Sequence, residues 1–152
     1  MSARRAGLAV VLMVALLAGR AEATEAAHVI PSHAWIRVLP GDLPAGAYVV
    51  LENQGNQPAT LRAASSPAYA EAMLHRSSTE NGVSRMAMVD DLAIPAHGKV
   101  ELSPGGYHLM LMKARTAVRP GDKVRLQLRF DDGSTLEVDF LARPANATGD
   151  TP

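Results

Sequence analysis

Apolar and polar residues alternate with a period of two in the second half of the chain. Val124, Leu126, Leu128 and Phe130 are separated by Arg125, Gln127 and Arg129, and Leu136, Val138 and Phe140 by Glu137 and Asp139. A β-strand sends successive side chains to opposite faces, so both runs predict strands with one face on a core and one in water. Shorter strands are expected at 34–39, 47–52 and 60–64. They end at Pro40-Gly41-Asp42-Leu43-Pro44, Asn53-Gln54-Gly55-Asn56 and Ser65-Ser66-Pro67, residues that favour turns. Residues 68–74 read either way, since Ala and Glu favour helix while the flanks favour strand. No segment carries a convincing helical period. About seven or eight strands at this spacing predict an all-β fold, a Greek-key β-sandwich or barrel. A two-residue turn at Asp132-Gly133 would oppose inward Leu128 to outward Glu137. A three- or five-residue loop restores the phase, and we expect Phe130 opposite Leu136 and Arg129 opposite Glu137.

The first residues follow another pattern. Arg4 and Arg5 precede an apolar run over 6–18, and Ala21-Glu22-Ala23 offers small residues at the −3 and −1 positions of a signal peptidase site. That run would rise only about 20 Å as a helix, short of a bilayer core of about 30 Å. Residues 1–23 are therefore expected to be a cleaved secretory signal, 24–144 the β domain and 145–152 a disordered tail. The formal net charge of the 152-residue chain is zero, and setting aside Arg4, Arg5, Arg20 and Glu22 leaves the mature chain at −2. With balanced charge and few aromatic residues, a nucleic-acid binder is not expected. The chain has no cysteine, which excludes disulfides, thiolate zinc sites, iron–sulfur clusters, blue-copper centres and cysteine nucleophiles. No Ser lies in a recognisable Ser/His/Asp motif, so no enzymatic activity is expected.

Methionine and histidine are distributed unevenly. Met73, Met86, Met88, Met110 and Met112 lie in one stretch with His75 and His108. Asn81-Gly82 is a strong hairpin signal, because both central positions of a type I′ turn need φ > 0. That turn would set Glu80 opposite Val83, Ser77 opposite Met86 and His75 opposite Met88, with Met73, His75, Met86 and Met88 on one face. His75 and Met86 would be diagonal neighbours, about 7–8 Å apart at Cα. His108, Met110 and Met112 share a face by alternation, and Gly105-Gly106 lets the backbone turn sharply just before them. Two imidazoles with two or more thioethers form a soft donor set without net charge. It suits Cu(I), whereas zinc favours thiolate, imidazole or carboxylate, and calcium or magnesium needs oxygen.

The spacing H-x10-M-x21-H-x-M, formed by His75, Met86, His108 and Met110, resembles the motif of the periplasmic copper chaperone family PCu(A)C. Similar stretches surround it: Glu80-Asn81-Gly82-Val83, Gly105-Gly106-Tyr107-His108-Leu109-Met110-Leu111-Met112, Ala34-Trp35-Ile36-Arg37, Gly46-Ala47-Tyr48 and Glu52-Asn53. The resemblance runs over 34–140. It implies a cupredoxin-like β-sandwich that binds one Cu(I) at a partly exposed site through His75, Met86, His108 and Met110. It further implies a periplasmic carrier that delivers copper toward the copper centre of cytochrome c oxidase, alongside Sco-type thiol proteins; the carrier is expected to be a monomer. Copper sequestration through the same site, or a metal-free interaction module, are the alternatives. Arg76 stands where the family often has Met, and residues 141–152 carry no His or Met of the kind found in the C-terminal extensions of some members. Met88 and Met112 are expected to form a hydrophobic collar in preference to alternate ligands. Trp35 is expected in the core. His28, His33 and His97 are expected to take no part in metal binding.

Overall fold

The computed structural model describes residues 23–151. A single helical turn, α1 (Glu25–His28), precedes ten strands: β1 (Val29–Arg37), β2 (Ala45–Asn53), β3 (Ala59–Ser65), β4 (Tyr69–Glu80), β5 (Val83–Met88), β6 (Leu92–Ile94), β7 (Lys99–Leu102), β8 (Tyr107–Ala114), β9 (Lys123–Phe130) and β10 (Thr135–Arg143). The chain is all-β as expected, with more strands than the turn spacing suggested. The ambiguous stretch 68–74 is the start of β4. Strand β1 begins earlier than expected because it continues through a bulge between Ser32 and Trp35, where His33 takes φ 52°.

Hydrogen bonding runs in the order β5-β4-β8-β2-β1-β10-β9-β3-β6, with β7 also on β2. Strands β1 and β10 pair in parallel, and the other neighbours are antiparallel. The path folds over itself into two layers. Ile36, Val49, Leu109 and Leu111 from one meet Leu61, Leu126, Leu128, Phe130 and Phe140 from the other, all nearly or fully buried. Burying each such side chain contributes roughly 1.5–3 kcal/mol. Among the described residues no helix is long and apolar enough to cross a membrane.

The β9–β10 register departs from the expected one. Leu136 lies opposite Leu128 and Thr135 opposite Arg129. The loop has three residues, Asp131–Gly133, closed by the Phe130 N–H donating to the Ser134 carbonyl at 2.9 Å, with Gly133 at φ 81°. This is the three-residue hairpin, whose last loop position needs a left-handed residue. The expected Arg129–Glu137 pairing is replaced by Arg125, which lies opposite Asp139 and donates to it at 2.9 Å. Both partners are exposed, so the pair contributes little stability.

The signal expected over residues 1–23 falls almost wholly outside the described residues. In the tail, where disorder was expected, three contacts hold the chain beside β1 and β10. Arg37 donates to the Ala147 carbonyl at 2.8 Å, Arg143 to the Thr151 carbonyl at 3.0 Å, and His33 Nδ1 stands 2.8 Å from the Asp150 carboxylate.

Candidate metal centre

The Asn81-Gly82 turn determines the geometry of the site. Both residues have positive φ, 51° and 78°, as a type I′ turn requires. The hairpin register is the expected one: Glu80 opposite Val83, Ser77 opposite Met86, His75 opposite Met88. On its other side β4 pairs with β8, which sets His75 opposite His108, Met73 opposite Met110 and Glu71 opposite Met112. Opposed residues point to the same face. All five methionines and both histidines of the stretch therefore share the outer face of three adjacent strands, while the intervening Leu74, Leu109 and Leu111 enter the core.

His75 Nδ1 lies 3.3 Å from Met86 Sδ. Two donors on one tetrahedral metal, with nitrogen at about 2.0 Å and sulfur at about 2.3 Å, stand roughly 3.5 Å apart. This pair is thus already at chelating distance. The His75 and His108 rings are 5.8 Å apart between centroids and meet edge-on at 80°. His108 is buried, and its Nδ1 lies 3.2 Å from the Gly106 carbonyl. That acceptor assigns the proton to Nδ1 and leaves the Nε2 lone pair for a ligand bond. Gly105, at φ 84°, provides the turn that brings the Gly106 carbonyl there, where it also accepts from the Ser77 N–H at 3.0 Å.

Exposure rises across the site. His108 on β8 is buried, His75 and Met110 are half-buried, and Met86 on β5 is 53% exposed. Burial, and secondarily the neighbouring His108, hold the His75 imidazole below its ordinary pKa, favouring the neutral form that binds metals. The donor set contains no thiolate or carboxylate, and among the described residues no three His, Cys, Asp or Glu side chains group as a hard-metal site. Two imidazoles and uncharged thioethers fit a soft monovalent ion.

The register also extends the site in a direction that sequence reasoning missed. Strand β2 pairs with β8 through Ala47–Leu109, and the next position places Tyr48 beside His108, with ring centroids 6.4 Å apart. Trp35 lies opposite Tyr48, with centroids 4.6 Å apart, and the Arg37 guanidinium sits 5.4 Å from the Trp35 ring centre. Trp35 is buried, as expected, but on the outer face beside the site instead of in the core between the layers. The strands were legible, but the β2–β8 pairing is non-local and carries no turn signal. Gly46 makes room for this arrangement: a Cβ there would stand 2.6 Å from the Tyr48 hydroxyl.

The remaining histidines lie elsewhere. His97 Nε2 is 2.7 Å from Asn56 Oδ1 between two loops, His33 meets Asp150, and His28 packs by Gly55. Met112 is half-buried. Met88 is 66% exposed and covers little.

Fold and site together define an all-β sandwich domain with a thioether–imidazole cluster at the open edge of its sheet. Residues 29–142 match the family described as "Putative lipoprotein LpqE-like". The solution structure of CuI-DR1885 from Deinococcus radiodurans superposes with a TM-score of 0.65 at 31% identity, over 86% of this chain and 87% of that one. The apo PmoF2 PCuAC domain gives the same TM-score at 22% identity, over 80% of this chain and 94% of that one. A curated relative, "Putative lipoprotein Lxx21020" of Leifsonia xyli subsp. xyli (strain CTCB07), is 35% identical over 108 residues; the match takes in 70% of this chain and 64% of that protein. The chain belongs to the LpqE-like, PCuAC family, and its fold is the cupredoxin-like β-sandwich of those domains.

Proposed function

We propose that this protein is an exported, non-enzymatic Cu(I) carrier that holds the ion through His75, Met86, His108 and Met110. The observation that carries the reading is the 3.3 Å approach of His75 Nδ1 to Met86 Sδ, beside a buried His108 whose tautomer is set by Gly106. Copper-bound relatives support the choice of metal: CuI-DR1885 and the copper-bound PCuAC domain of PmoF2. Lipoprotein relatives and the apolar leader support export to the periplasm.

Release proceeds by ligand exchange. Thioethers carry no proton, so a partner's donor replaces them one at a time without proton transfer or change of copper oxidation state. The graded exposure gives a direction: the ion enters and leaves by the Met86 edge, and His108 lies deepest. The acceptor in this proposal is the copper centre of cytochrome c oxidase, directly or through Sco-type proteins.

Anaerobic titration of the exported protein with Cu(I), against a chromophoric chelator, tests the site. One equivalent should bind to wild type. His108→Ala and Met110→Ala should each weaken binding about tenfold or more, since loss of even an outer-shell partner of a ligand costs roughly 10–100-fold at metal sites. Absence of wild-type binding removes the proposal. In cells, gene deletion should lower oxidase activity at limiting copper. Copper sensitivity with normal oxidase activity would instead assign the site to sequestration.

A further inference from the structure

Met88 lies outside the four-residue motif and outside the buried surface, yet it stands closer to His75 in register than Met86 does. The Val89 N–H donates to the Leu74 carbonyl at 2.9 Å, which makes Leu74–Val89 a hydrogen-bonded pair. The adjoining pair, His75–Met88, is then of the non-hydrogen-bonded kind, with Cα atoms about 4.5 Å apart and side chains close together. Both side chains leave the sheet on the metal-site face. Strand β5 is the last in the hydrogen-bonded order, so among the described residues no further strand lies outside Met88. A collar residue must cover something, and at 66% exposure this thioether does not.

Building on the copper-carrier reading, we propose that Met88 is an exchange ligand, which takes hold of Cu(I) at the sheet edge while the resting ligands are being gained or lost. On loading, a Cu(I)–S bond to Met88 forms as a bond to the donor's ligand breaks. The ion then passes to His75 and Met86, and finally to His108 and Met110, as the Met88 bond breaks. On unloading the order reverses. In all, four bonds to the resting ligands form, the bond to Met88 is made and then broken, and the bonds to the donor's own ligands are lost as these form; copper stays monovalent, and no proton moves. Met88 is absent from the resting coordination sphere, so it sets rates and leaves affinity alone. Met112, half-buried at the far end of the same face, has no such access.

The test is stopped-flow transfer of Cu(I) between the protein and a chromophoric Cu(I) chelator, in both directions, for wild type, Met88→Leu, Met112→Leu and Met86→Leu. Leucine retains the shape and removes the donor sulfur. Met88→Leu should leave the equilibrium partition within about twofold and slow loading and unloading alike by about fivefold or more. Met112→Leu should match wild type, and Met86→Leu should lower affinity. Unchanged rates in Met88→Leu would overturn the proposal, and so would a tenfold or larger fall in affinity, which would make Met88 a resting ligand. If wild type takes no Cu(I) at equilibrium, the carrier reading fails and this proposal with it. Binding with unchanged Met88→Leu kinetics defeats the exchange role alone.

Discussion

Gly46 acts through the side chain it lacks. The Tyr48 phenol lies over its backbone, and Gly46 itself pairs with Met110, so this position joins the buried aromatic row to the candidate metal site. Gly46→Ala should therefore lower stability by about 1–3 kcal/mol, as overpacking does, and weaken Cu(I) binding by displacing Tyr48 from His108. The closest atom to the new methyl is the Tyr48 hydroxyl at 2.6 Å, with the ring carbon behind it at 3.1 Å. Tyr48→Phe should consequently recover much of the loss, a coupling that a double-mutant cycle by chemical denaturation will measure. His75 yields a pH prediction at the same scale. Its imidazole pKa is lowered from 6.5 by burial and by His108. Just below pH 6.5 the unfolded chain binds more protons at this residue than the folded one. The stability it contributes is complete above that pH and is lost as pH falls through the lowered folded value. Thermal melts of the metal-free protein between pH 7 and 5 should show the decline, and His75→Gln should flatten it.

Among the elements, the β4–β5 hairpin was the most legible in the sequence. Asn81 and Gly82 supply the two left-handed residues that only one turn type uses, and that turn fixes every pair up to His75–Met88. The β9–β10 hairpin was legible as strands and wrong in register, because Asp131-Asp132-Gly133 is compatible with more than one loop length. What selects the three-residue form is Gly133 in the left-handed region, a conformation the sequence permits without requiring it. The pairing of β8 with β4 and β2 was not legible. It depends on long-range packing of Leu109 and Leu111, and with it went the Trp35–Tyr48–His108 row. Since the β5 edge rests on its turn, Gly82→Val should strain the hairpin by roughly 1–2 kcal/mol, the penalty for a side chain in the left-handed region. All six residues of β5 are exposed. The strain should appear as weaker Cu(I) binding in the chelator titration and as little change in global melting temperature.

At the scale of the molecule, the core and the site occupy opposite faces of the same strands. Ile36, Ala47, Leu74, Leu109 and Leu111 hold the layers together, while Trp35, Tyr48, His75, His108 and Met110 sit outside on the alternate positions. The period-two pattern that builds the sandwich thereby frees an entire row for the candidate metal site, and changes on one face need not disturb the other. The parallel pairing of β1 with β10 has a different consequence. Trp35 is aligned with Leu141, so the first strand finds one of its two neighbours only in the last. Closing so long a loop is entropically expensive and comes late in folding. Until β10 has been made, the chain lacks the strand that joins its two layers, so the sandwich closes last along the seam between β1 and β10.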